Sequence, residues 1–430
     1  MIGADLTIGL LVFLVVTNYQ INKSVLYPPF IFCTMWLLVL GLYRSNLVEM
    51  DTVHAETFAV LSVGAVLFSI GGACALLVPR KVICTRLVLF RRHLKNVAPT
   101  PDRTMLMKHC IMAALAVGVC FMVGHVFTLA GQGTSGAFLQ RARDVGFQAQ
   151  AEGQSQFPIY SYVLLWSIYA SVLFQLERRD SSSWIMTGIA FIACILSTGR
   201  TGLLLLVSAL TCVHLIKTNR HSFLAAIRLI RWPFLAFLLL WTLLIFTNKD
   251  TAVFGTSIGA TILLFLVSYT VGPIVAFDYF LRHSEYYAGT PHHTFKFFLG
   301  LASFMHIIPF VPIDPLLNEY SPYVPTPFPI NVYTMYRFYI TDFGLYVALG
   351  IMLLIGFLHT LVYLKARTGS ELGIYFFALT LYPVIMVIFE DQYSSFGSYL
   401  DILLLGWFYT LMRSRLLLRS SEIRLCINHT

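Results

Sequence analysis

The stretch 57–78, TFAVLSVGAVLFSIGGACALLV, has 22 residues and no charge. The stretch that follows, 79–108, holds Arg80, Lys81, Arg86, Arg91, Arg92, Lys95, Arg103 and Lys108 against Asp102 alone. About 20 apolar residues suffice to cross the hydrocarbon core of a bilayer as a helix. Lys and Arg collect in the cytoplasmic loops of membrane proteins. Together the two stretches define one helical span and the side on which it ends.

The same reading extends over the whole chain. Apolar runs lie at 4–18, 26–43, 109–130, 158–176, 184–198, 201–216, 232–247, 343–364, 373–389 and 399–412. Backbone polar groups in lipid must be satisfied within the segment, so each run reads as a helix. The chain has 430 residues, 58% of them apolar and 11% charged. A soluble domain runs near 25% charged, so one large soluble domain is excluded. The fold class is all-α, a single integral membrane domain over 1–430 with about 11–12 transmembrane helices. The first run starts at residue 4 without a basic leader or a small-residue cleavage site, and reads as a span.

Two further basic stretches fix the orientation. Segment 217–231 carries Lys217, Arg220, Arg228 and Arg231; the tail 413–430 carries Arg413, Arg415, Arg419 and Arg424 against Glu422. All three basic stretches belong in the cytoplasm, with the C-terminus. The threading puts 21 of the 29 Lys+Arg there, leaving Arg44, Arg141, Arg143, Arg200, Lys249, Arg282, Lys296 and Arg337 facing outward. The net charge of +9 is therefore a topology signal, and no nucleic acid is needed to explain it. All eight cysteines fall in spans or on the cytoplasmic side, so no disulfide framework is expected.

The run 257–280 is interrupted by Gly272-Pro273. It reads either as a Pro-kinked span or as a broken, re-entrant helix. Parity between the basic loops favours a re-entrant or interfacial placement on the outer side. Region 257–342 is then this helix plus one large external loop, and 131–157 is a first, shorter one.

Chemistry is expected in these loops. Loop 131–157 is rich in Gly and Gln around Arg141, Arg143 and Asp144. The larger loop carries seven of the 17 prolines between Pro309 and Pro329, which rules out a span there. It also carries Tyr286, Tyr287, Tyr320, Tyr323, Tyr333, Tyr336 and Tyr339, suited to a wet groove with an apolar floor or to an interfacial belt. Arg200 sits in ILSTGRTGLLLL (195–206), where a cation at an outer corner meets a phosphate or snorkels to headgroups. Arg337 is flanked by tyrosines and by Asp342, with which it forms an interfacial ion pair on the plainest reading. Asp278, His283, Glu285 and His306 are available as bases. His292-His293 lacks a third ligand, so no metal site is expected.

These features resemble the Wzy-type O-antigen polymerases. The resemblance rests on the many spans, on the Thr198-Gly199-Arg200 corner between two short helices, and on a late external loop. That loop ends in NVYTMYRFYITDFGLYVALG (331–350), an aromatic stretch with a DFG start to the next span. The Tyr269-Thr270-Val271-Gly272-Pro273 segment adds to it. The resemblance implies a GT-C-like membrane glycosyltransferase of the bacterial inner membrane. Its substrates are undecaprenyl-diphosphate-linked glycans, presented at the periplasmic face. It implies neither metal nor other cofactor, and a chain-length regulator is a possible partner. It implicates arginines of two periplasmic loops, here Arg141 or Arg143, Arg200 and Arg337. Asp278, His283 or Glu285 would serve as base, and Tyr333, Tyr336 and Tyr339 would line the substrate groove. O-antigen ligases share this plan. A transporter or flippase of lipid-linked oligosaccharide is the reading from another class.

Overall fold

The computed structural model describes residues 2–79, 101–132, 158–177, 181–197, 200–219, 258–283 and 332–410, with single positions at 141, 222, 294, 298, 302 and 305. Among them every regular element is a helix. In chain order these are α1 (Ile2–Asn22), α2 (Pro28–Ser45), α3 (Ala55–Leu76), α4 (Pro101–Gln132), α5 (Pro158–Glu177) and α6 (Ser181–Leu196). They continue with α7 (Arg200–Lys217), α8 (Ile258–Arg282), α9 (Tyr336–Phe343), α10 (Leu345–Arg367), α11 (Glu371–Met386) and α12 (396–410). Five of them, α1 to α4 and α10, are long and apolar enough to cross a bilayer. Phe13, Phe121, Leu403 and Trp407 point away from the bundle. Outward apolar side chains of this size suit a lipid surround and would be a liability in water. The chain is an all-α, multi-pass membrane protein. The expected span 232–247 lies outside the described residues.

Local chemistry sets the helix ends. Pro28 and Pro29 open α2, where a missing N–H costs nothing, and Asn46 closes it in the left-handed region. Gly369, at φ 75°, stops α10, and the Ser370 hydroxyl accepts from the Gly373 N–H to start α11. This three-residue link makes α10 and α11 antiparallel neighbours. Pro101 opens α4 just over two turns before the apolar run, so Lys108 lies inside the helix, buried with its ammonium over the Phe174 ring at 5.4 Å.

The core has two lobes. In one, α1, α2, α3, α8, α9 and the first half of α10 pack together. In the other, α4, α5, α6, α7, α11 and α12 pack round the second half of α10. The joint is the close pair α3 and α10. Phe68 opposes Gly356, Gly71 opposes Leu353 and Phe357, and Gly72 opposes Thr360. Gly71 lies between Leu353 and Phe357, while the pairs Phe68–Gly356 and Gly72–Thr360 each advance by four residues, so the two helices run parallel. A Cβ on Gly71 or Gly356 would strike the backbone carbonyl of Leu353 or Phe68. Small residues at such crossings let helix backbones approach in membranes. Asn18 donates to Ser69 Oγ at 3.0 Å, with Cys33 beside both, and this ties α1, α2 and α3.

α8 is a single unbroken helix of 25 residues with Pro273 inside it. Gly272-Pro273 therefore does not break it.

Candidate active site

The sequence points to Arg337, and the structure builds the site round it. Residues 332–335 lead into α9, which turns into α10 at Gly344 alone. Gly344 has φ 78°, a region that strains any residue with a side chain, and its N–H caps Ile340 at 2.8 Å. This is why the aromatic stretch ends in Asp342-Phe343-Gly344. α9 buries Tyr336, Tyr339 and Ile340 on one side and leaves Arg337 and Phe338 half-buried on the other. The Met335 N–H donates to the Val387 carbonyl at 3.1 Å, fastening this segment to the end of α11.

The Arg337 guanidinium lies over the Tyr333 ring at 4.2 Å, with Phe338 and Phe280 at 5.6 and 5.9 Å. Cation–π contact favours the charge over these rings. Burial pulls its pKa below the ordinary arginine value, and Tyr333 and Glu390 push it back up. A guanidinium stays charged throughout.

Glu390 and Asp391 form the acidic side of the cluster. Glu390 opens to the surface, yet the protein packed around it raises its carboxyl above the usual range. Asp391 adds to that rise and Arg337 opposes it. Asp391 is 4% exposed. Its Oδ1 accepts from the Tyr339 hydroxyl at 2.8 Å and the Tyr393 N–H at 2.9 Å, and its Oδ2 from the Ser394 N–H at 3.1 Å. Burial raises the Asp391 carboxyl, and these bonds oppose the rise. Tyr393 Oη lies 2.8 Å from His359 Nδ1. His359 is fourteen residues beyond the start of α10, about 20 Å along its axis. Segment 387–395 therefore turns back into the bundle.

Arg200 is the first residue of α7. Tyr363 near the far end of α10 lies in electrostatic reach of Cys212 near the far end of α7. The charge threading puts the starts of both helices, and so Arg200 and Arg337, on the outer side. Gly202 packs tightly, with Leu164 and Cys194 within 3.6 Å of where a Cβ would stand. At least one small residue of the corner therefore serves helix contact.

Several sequence expectations are corrected. Asp278, 1% exposed, accepts from the His54 N–H at 2.8 Å, the Thr57 hydroxyl at 2.7 Å and Arg282 Nε at 3.0 Å, with His54 Nδ1 at 3.1 Å. It fastens the end of α8 to the start of α3 and turns no free lone pair to a substrate. His283 Nδ1 lies 2.9 Å from the Tyr279 carbonyl and its ring stacks on Tyr279, closing α8. Tyr336 is fully buried, with its hydroxyl against Gly64 and its ring beside Trp36 and Phe277. Tyr339 is tied to Asp391, and Tyr333 is buried under Arg337. None of the three lines a wet groove. Asp342, read as a partner for Arg337, accepts the Thr294 N–H at 2.7 Å. Arg141 is half-buried, and its Nε is buried without a hydrogen-bond partner. Arg143, Glu285, His292, His293 and His306 lie outside the described residues. Among those described, no three His, Cys, Asp or Glu side chains gather as a metal site.

The sequence reading passed over Glu390, Asp391 and His359. The signal was there: two adjacent acids close an apolar run in IFEDQYSSFG (388–397), and ionisable residues at membrane depth are functional candidates by default. No family model matches the chain, and neither the curated proteins nor the solved structures give a match.

Proposed function

We propose that the chain is a membrane glycosyltransferase that polymerises lipid-diphosphate-linked oligosaccharide repeat units, as its resemblance to the Wzy-type polymerases implies. The observation that carries this reading is the Arg337 cluster: a half-buried guanidinium over the Tyr333 ring at 4.2 Å, in electrostatic reach of Glu390, with Arg200 at the start of α7 on the same side by the charge threading. In this reaction the bond from the anomeric carbon to the diphosphate breaks, and negative charge grows on the leaving group. A fixed guanidinium in a low-dielectric surround stabilises that charge more than water does, because it is oriented before the reaction starts. Arg also matches phosphate oxygens in a bidentate way that Lys does not. The helix start at Arg200 presents free backbone N–H groups to the same anion.

The reading places the donor diphosphate between Arg337 and Arg200 on the outer, periplasmic face of the inner membrane. The test replaces each arginine with Ala and scores glycan length in cells. Loss of long chains from both variants supports the clamp, and normal long chains from both overturn it.

A further inference from the structure

Arg337 stands between two ties to one short segment. The Met335 N–H donates to the Val387 carbonyl at 3.1 Å, and the Tyr339 hydroxyl donates to Asp391 Oδ1 at 2.8 Å. Residues 335 and 339 lie about one helical turn apart. The first turn of α9 is therefore held at both ends to segment 387–391, with Arg337 midway. Asp391 also shapes that segment. Its carboxylate accepts from the N–H groups two and three residues on, Tyr393 at 2.9 Å and Ser394 at 3.1 Å. Tyr393 Oη meets His359 Nδ1 at 2.8 Å, so the segment is anchored in turn on α10. α9 needs such anchors. It has eight residues, too few to hold a helix by its own backbone, and it joins α10 through Gly344 alone. Side chains two positions apart on a helix point about 200° apart. Drawing Tyr339 inward, where it is 3% exposed, thus turns Arg337 the other way.

We propose that Asp391 and Tyr339 are positioning residues, which together aim the Arg337 guanidinium at the donor diphosphate. This rests on the glycosyl-transfer reading and deepens it by naming what fixes the charged group. Asp391 is 4% exposed with both oxygens engaged, and the Tyr339 hydroxyl proton is committed to it, so neither touches substrate. They act through Arg337. The stabilisation a cation gives depends on where it stands when charge develops. A misplacement of about 1 Å can cost about 10²-fold in rate. The tie itself is a hydrogen bond to a carboxylate, stronger than one between neutral groups and costly to leave unmade when buried.

The test uses the full chain purified in detergent, supplied with lipid-diphosphate-linked repeat units isolated from host cells that lack it. Wild-type protein that makes no polymer overturns the glycosyl-transfer reading and this inference with it. If the wild type polymerises, Y339F is expected to lower kcat/KM about 10- to 100-fold. In an R337A background the same change is expected to cost less than about threefold, because no guanidinium is left to aim. A purely structural tie would cost the same factor in both backgrounds. That result, or Y339F activity within about threefold of wild type, overturns the positioning role while leaving the function standing. D391A is expected to lose at least as much as Y339F, and D391N, which keeps an oxygen for the Tyr339 proton, to recover part. Where Y339F fails to fold, D391N carries the same cycle, with about a tenfold loss expected and equal losses in the two backgrounds overturning the role.

Discussion

Arg337 occupies a place where a guanidinium is costly to put, and the surrounding residues show what keeps it there. Tyr333 beneath it and Glu390 nearby offset its burial. Arg337→Ala is expected to lower kcat/KM for polymerisation about 10²- to 10³-fold, the range for removing one preorganised charge-stabilising donor. Arg337→Lys recovers only part of that, since an ammonium has neither the fork nor the flat face. Kinetics of the two purified variants checks both. At this scale the sequence was half legible. Arg337 stood out as a cation against the charge rule, ringed by aromatics. Which tyrosines would be wet was not legible, because a tyrosine against Gly64 and one facing solvent read alike in a one-dimensional pattern. Asp278 illustrates the same limit. Its partners His54 and Thr57 lie more than 220 residues away in the chain.

At the scale of elements, two contacts hold the framework on which the site stands. The α3–α10 joint depends on Gly71 and Gly356, where backbone meets backbone. Gly356→Val forces the helices apart and is expected to cost about 1–3 kcal/mol of stability. The second contact is the Asp278 latch. Asp278→Asn removes the charge that three donors share and is expected to cost about 1–3 kcal/mol, with activity lost in proportion to folded protein. Thermal unfolding in detergent, followed by intrinsic fluorescence, measures both. Undiminished stability of Asp278→Asn with a collapsed kcat would return Asp278 to the chemistry. Helix positions were largely legible, since uninterrupted apolar runs dictate them. The turn-back at 387–395 was not. The apolar run continues to Phe389, while the helix stops at Met386 and the Val387 carbonyl goes to Met335. That exchange is a long-range hydrogen bond with no local signature.

At the scale of the molecule, an asymmetric charge pattern accompanies a polar cluster at one end of an apolar bundle. The threading puts Glu390 and the basic tail on opposite sides of the membrane. Single cysteines placed at Ser394 and Thr430, in a chain whose own cysteines are replaced, are expected to react with an impermeant thiol reagent from opposite sides. Labelling of both from one side would undo the topology and the site's assignment to the outer face. The most direct test of the central claim is the surface glycan and lipid-linked glycan of cells from which the protein is deleted. Polymerisation predicts glycan carrying single repeat units in place of long chains, and restoration of the chains by wild type but not by Arg337→Ala. Long polymer retained on the lipid diphosphate would make the protein a ligase. Complete loss of surface glycan with unpolymerised lipid-linked units would make it an exporter, and either result would contradict the account.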